Sequence, residues 1–154
     1  MERNTMEKND GQQLKVSAIK DGTVLDHIPS SQVFKVIDIL GLSGSEHPVT
    51  FGVNLDSKSM GRKGIIKISE RFFRDDELNK IALIAPNASV NIIRNFRVAE
   101  KKVLAIPETV SGMVKCINPM CVTNHEDIPA KFKTIVKGSE IQLLCHYCEK
   151  ITDL

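Results

Sequence analysis

Tryptophan is absent from this chain of 154 residues, tyrosine occurs once and phenylalanine six times. Base stacking needs aromatic faces, so this scarcity argues against a stacking nucleic-acid binder. Charge of one sign is missing too: the formal net charge is +2, split evenly along the chain. Nucleic-acid domains carry a basic excess on one face, so any anion site here must be a local cluster. No apolar run reaches the roughly twenty residues of a membrane span, and the polar start lacks the apolar stretch of a signal peptide. The expectation is a cytoplasmic protein with no membrane partner. Cysteine is missing from the first 115 residues, and all four cysteines follow. In a reducing compartment they read as thiolate ligands rather than disulfides.

The hydropathy pattern divides the chain. Residues 1–13 form a polar extension, 14–100 a first domain, 101–110 a linker and 111–154 a second domain too short and polar to stand without a metal. Leu14, Val16 and Ala18 alternate with Lys15 and Ser17 as a strand over 14–19 would. Asp21-Gly22 reads as a turn, and 24–28 extends the strand. A helix then opens at Pro29-Ser30, with Ser30 as its N-cap and Val33, Val36, Ile37 and Leu40 on one face. Strands are expected over 49–55 and 64–68. A second helix starts with Asp75, Asp76 and Glu77 and buries Leu78, Ile81, Ala82 and Ala85 before Pro86 ends it. The last strand of this domain runs over 89–96 and continues through Val98. The order β-α-β-β-α-β is the split βαβ, ferredoxin-like arrangement, an α+β fold that leaves one sheet face free for a ligand or a dimer contact.

Four residues separate Cys116 from Cys121 and two separate Cys145 from Cys148, with twenty-three between the pairs. Each pair fits a tight turn with both sulfurs on one side of an ion, and two such turns complete a tetrahedral site. The expectation is one structural Zn(2+) per chain in a small β-rich zinc ribbon of rubredoxin-like form. Soft sulfur also suits iron, and zinc is preferred because no redox partner site is present. Four thiolates leave no open position for water, which excludes metal-assisted hydrolysis. His146, inside the second pair, and His125, beside Glu126 and Asp127, read as solvated loop residues.

Lys63 and Lys67 flank Ile65 at a spacing that puts all three on one strand face. Two cations around an apolar residue can hold a phosphate and a flat ring, with Arg62, Lys101 and Lys102 joining from neighbouring segments. The plain alternative is a solvated strand face. Asp26-His27 has the composition of a general-base pair, but no nucleophile accompanies it, and a packed histidine is the simpler reading.

The segment Gly22-Thr23-Val24-Leu25-Asp26-His27-Ile28-Pro29, the Met60-Gly61-Arg62-Lys63 stretch, Ala85-Pro86 with Val90-Asn91, and the four cysteines together resemble the regulatory chains of aspartate carbamoyltransferase. The similarity extends from Leu14 to Lys150. It implies a non-catalytic subunit of pyrimidine biosynthesis, with an amino-terminal allosteric domain that binds nucleoside triphosphates and self-dimerises through its sheet. It also implies a zinc domain that docks on the catalytic chain. By position, Asp26, Lys67 and Lys101 would meet ribose and phosphates, with Lys63 nearby. Val16, Ala18, Ile19, Val24, His27, Ile65, Asn91, Ile93, Phe96 and Val98 would shape the base and sugar pocket. Asn118, Glu149 and Lys150 are the implied contacts to the catalytic chain. Two other functions compete: a zinc-ribbon protein that binds nucleic acid, and an enzyme using Asp26-His27. Near-neutral charge and few aromatics weigh against the first, so no nucleic-acid partner is expected.

Overall fold

The computed structural model describes residues 16–154. The polar extension, Leu14 and Lys15 lie outside the described residues. The chain divides into two compact units, Met1–Ala105 and Ile106–Leu154.

In the first unit β1 (Gly22–Ile28) is followed by α1 (Val33–Ile39), β2 (Val49–Ser57), β3 (Gly61–Ser69), α2 (Asp75–Ile81), β4 (Ser89–Arg94) and β5 (Arg97–Lys102). All pairings are antiparallel, in the order β2-β3-β1-β4-β5. The first four strands are the split βαβ sheet, and β5 extends it at the β4 edge. Strand alternation sends Leu25, Ile66, Ile68 and Val90 to one face, where both helices cover them. Val33 and Val36 of α1 and Ile81 of α2 are fully buried there, and Leu78 nearly so. Each such side chain contributes roughly 1.5–3 kcal/mol by leaving water. Gly64 sits on this face opposite Ile28, and a Cβ there would run into Val33 Cγ2. The close approach of α1 to β3 therefore requires glycine.

Several expectations are corrected. Residues 16–19 are not a strand, because the segment crosses the sheet instead of pairing with it: Lys67 Nζ donates to the Val16 carbonyl at 3.0 Å. Gly22 is not in a turn but is the first residue of β1, where a Cβ would collide with the Ile68 carbonyl. Ser30 does not cap α1. A 3-10 turn, Ser30–Gln32, precedes the helix, and the Ser30 hydroxyl accepts the Asn54 N–H at 2.9 Å instead. The strand expected over 89–98 is a hairpin. Asn95 and Phe96 both take positive φ, 54° and 67°, the conformation of a two-residue turn that matches strand twist. The reversal is held from outside: the Asn95 N–H donates to Asp21 Oδ1 at 3.0 Å and the Phe96 N–H to the Lys20 carbonyl at 2.8 Å.

The second unit contains β6 (Thr109–Ser111), β7 (Lys131–Lys137), β8 (Glu140–Cys145) and β9 (Ile151–Asp153) in one antiparallel sheet in that order. Strand β5 thus runs past residue 100, and β6 begins within the segment 101–110. The apolar side chains buried here are Val110, Ala130, Phe132 and Leu143, together with Cys116, Cys121 and Cys145. So thin a core leaves the cysteines at its centre. Among the described residues, no helix is long and apolar enough to cross a membrane.

Candidate metal centre and ligand face

The four cysteine sulfurs lie within 4.8 Å of one another, and none is in a disulfide. The Cys116–Cys148 sulfurs are 3.6 Å apart and the Cys121–Cys145 sulfurs 3.7 Å. Zinc–sulfur bonds of about 2.3 Å place the corners of a tetrahedron about 3.8 Å apart, so the donor set fits one metal ion. Each knuckle is a backbone device. In the first, the Cys121 N–H donates to the Asn118 carbonyl at 3.0 Å, and Asn124 Nδ2 donates to the carbonyls of Cys116 and Asn118 at 3.1 and 2.7 Å. In the second, the Cys145 N–H donates to the Lys150 carbonyl, and the Glu149 N–H, at a residue of φ 63°, returns to the Cys145 carbonyl. Buried Thr152 ties the halves together by accepting the Ile117 N–H at 3.2 Å.

Protons on these sulfurs are unevenly held. Burial pushes the Cys116 thiol up to about 12. Burial acts the same way on Cys148, but hydrogen bonds from Asn118 and the Lys150 N–H win and draw it down to about 6. The hydroxyl and N–H of Thr123 lower Cys121. Clustered thiolates repel one another, and a divalent cation is what allows all of them to ionise. Exposed His146 packs its ring on Tyr147 at 5.0 Å, and exposed His125 is likewise outside the sulfur cluster.

The face of the first sheet turned away from the helices is organised by register. Thr50, Lys67, Val24, Asn91 and Lys101 are successive cross-strand partners across all five strands. Ile65 and Ile93 extend this face along β3 and β4, with Val98 opposite Ile93. Val16 lies over it beside Gly52, and half-buried Ala18 and Ile19 continue the segment. Phe96 stands at the hairpin tip. The row therefore brings together Lys67, Val24, Asn91 and Lys101 from four separate strands. Among the described residues the buried Asn91 Oδ1 has no hydrogen-bond partner, and such an acceptor is costly unless something supplies a donor.

Lys63, on the same face of β3 as Lys67, pairs with Asp26, its ammonium 2.9 and 3.1 Å from the two carboxylate oxygens. Arg62 bonds the Asn54 carbonyl at the far end of the hairpin. Lys102 does not join the cluster: alternation turns it to the helix face, where it meets Asp75 at 2.9 Å. His27 occupies a bulge at φ 59°, its N–H on Asp26 Oδ1 at 2.6 Å and its Nδ1 3.2 Å from the Ser89 hydroxyl. Its Nδ1 also stands 3.9 Å from Asp26, so the carboxylate and the Ser89 hydroxyl face the same ring nitrogen, which is a packed arrangement and not the relay of a hydrolytic triad. Asn118 is built into the first knuckle, while Glu149 and Lys150 are exposed beside the second. Sequence reasoning missed Ser89, Thr123, Asn124 and Thr152. Only Asn124 and Thr123, polar residues just after Cys121, carried a local signal.

Residues 14–105 match the family described as aspartate carbamoyltransferase regulatory chain, allosteric domain, and residues 108–154 match its metal binding domain. A regulatory chain of aspartate carbamoyltransferase from Phocaeicola vulgatus is 49% identical over 146 residues, covering 94% of both chains. One from Bacteroides thetaiotaomicron is 50% identical over 139 residues, 90% of each chain. One from Pyrococcus horikoshii is 50% identical over 140 residues, 90% of this chain and 91% of its own. With an open sheet in one unit and a four-cysteine metal centre in the other, the chain belongs to the family of aspartate carbamoyltransferase regulatory chains and is non-catalytic.

Proposed function

We propose that this chain senses nucleoside triphosphates on the open face of its first domain and passes their binding to the catalytic chain of aspartate carbamoyltransferase in pyrimidine biosynthesis. The observation that carries the reading is the transverse row Lys67–Val24–Asn91–Lys101. A triphosphate needs several cations close together, and two lysines stand on this row with apolar Val24 and Ile65 beside them. The unpartnered Asn91 Oδ1 suits an N–H donor such as a base or sugar supplies. Asp26 serves by holding Lys63 at the rim. A nucleic-acid surface has less support, because the two central strands β1 and β3 carry no Phe, Tyr or Trp.

The metal is zinc, one per chain and structural: sulfur spacings near 3.7 Å support a tetrahedral four-thiolate ion, and zinc is preferred to iron because the sequence offers no redox partner site. Asn118, Glu149 and Lys150 beside the knuckles meet the catalytic chain, where exposed Ile117 and Met120 add apolar surface. The first domain pairs with a second copy through its sheet. Among the described residues strand β2 is a nine-residue edge of the sheet, and its Phe51, packed edge-on against Phe34 at 5.4 Å, is 44% exposed. The protein works in the cytoplasm.

Calorimetry with ATP and CTP tests the nucleotide site. Lys67→Ala and Lys101→Ala should each weaken binding while leaving metal content intact. Unchanged affinity in both would return these lysines to an ordinary solvated face.

A further inference from the structure

Alternation along β5 sends Lys101 and Lys102 to opposite faces of the sheet. Lys101, opposite Asn91, belongs to the open face, and Lys102, opposite Val90, belongs to the helix face. There α2 takes hold of the departing chain at three successive points. Lys102 Nζ lies 2.9 Å from Asp75 Oδ1. Leu104 packs against the core that Leu78 and Ile81 help to form. The Ala105 N–H donates to Asn79 Oδ1 at 3.1 Å. Between these points Val103 is 93% exposed, and the first unit ends at Ala105. A cleft of about 420 Å³ lies beside these contacts, lined by Asp75, Asn79, Lys101, Lys102 and Val103 among others.

Two properties of this arrangement suit a switch. The grip is weak, since Asp75 is 80% exposed and an ion pair so open to water holds little. A cleft lies beside it, and of the three points of hold only Leu104 touches the core, as a partly buried side chain at its margin. We propose that the hold of Asp75 and Asn79 on residues 102–105 is the coupling element of the first domain. A nucleotide drawing on Lys101 pulls on the residue next to the clamp, and the chain leaving the domain has two settings, clamped and released. The effector shifts their populations only through its different affinity for the two. Asp75, Asn79 and Lys102 are positioning residues, remote from the ligand. The inference rests on nucleotide binding at the open face, and the test separates the two.

The test uses the complex reassembled with its catalytic chain, with CTP and ATP as probes. Asp75→Asn and Asn79→Ala are each compared with the parent chain for nucleotide affinity by calorimetry, metal content, activity without nucleotide, and the change in activity on adding nucleotide. Expected are unchanged affinity, metal and basal activity, with the nucleotide response cut by about threefold or more, against the roughly 5- to 150-fold range of allosteric couplings. Asp75→Asn with Lys102→Met should lose no more than either alone, since both remove one contact. An undiminished response in both single variants overturns the proposal. So does lost nucleotide affinity, because the clamp would then be part of the binding site. Failure of the parent chain to bind either nucleotide would instead remove the proposed function, and this inference with it. Asp75→Asn preserves side-chain shape, so a folded variant is available if Asn79→Ala loses structure.

Discussion

Replacing Cys145 by alanine takes one of four ligands from a side chain that is 1% exposed. The consequence follows from what else holds the second unit together. Its larger buried apolar side chains are Val110, Phe132 and Leu143. At about 1.5–3 kcal/mol each they contribute roughly 5–9 kcal/mol, before the cost of ordering the backbone is counted. A structural zinc in a small domain contributes about 10–16 kcal/mol, comparable to the whole stability of an ordinary domain, about 5–15 kcal/mol. Losing the metal should therefore unfold this unit outright. The first unit has its own core, with Leu25, Ile28, Ile66 and Ile81 fully buried, and should persist. Hydrogen exchange read by mass spectrometry on Cys145→Ala, and on the parent chain with chelator, checks this. Amides of β6 to β9 should exchange freely while those of β1, β3 and β4 stay protected. Persistent protection of β7 and β8 after the metal is gone would refute the reasoning.

Gly64→Ala should destabilise the first unit by about 1–3 kcal/mol, because the new methyl meets Val33 Cγ2 at the start of α1; thermal denaturation of the two proteins measures the difference. Metal retention against a chelator should be stronger at pH 8 than at pH 6. In the metal-free chain burial pushes the Cys116 thiol up to about 12, so metal binding must displace its proton; an affinity corrected for the chelator's own protonation that does not rise with pH would contradict thiolate ligation. Phe51→Asp should drive self-association toward monomer in sedimentation experiments by placing charge on the exposed β2 edge. Unaltered self-association would point to a different face.

Much of this architecture is written in local patterns. The alternation of Lys63, Ile65 and Lys67 against Gly64, Ile66 and Ile68 separates the face away from the helices from the core within one strand. The stripe Leu78, Ile81, Ala82 and Ala85 marks the buried side of the second helical segment, and all four are nearly or fully buried. The paired cysteines announce their cluster by spacing alone. What stayed illegible was decided by contacts distant in sequence. Asn95-Phe96 lacks the glycine that flags a tight hairpin, and the turn is held by Asp21 and Lys20. Residues 16–19 have a strand's alternation, yet the Val16 carbonyl is taken by Lys67. Ser30 has a capping residue's chemistry, but β2 claims its hydroxyl. Lys102 looked like a partner of Lys101 until the register placed it on the other face.

The central claim is that this chain confers nucleotide sensitivity on a partner that lacks it. The direct measurement is the activity of the aspartate carbamoyltransferase catalytic chain, alone and reassembled with this chain, each with and without ATP or CTP. The account predicts that the catalytic chain alone ignores both nucleotides and that the reassembled complex responds to at least one. An assembled, metal-replete complex whose activity is the same with and without either nucleotide would contradict it.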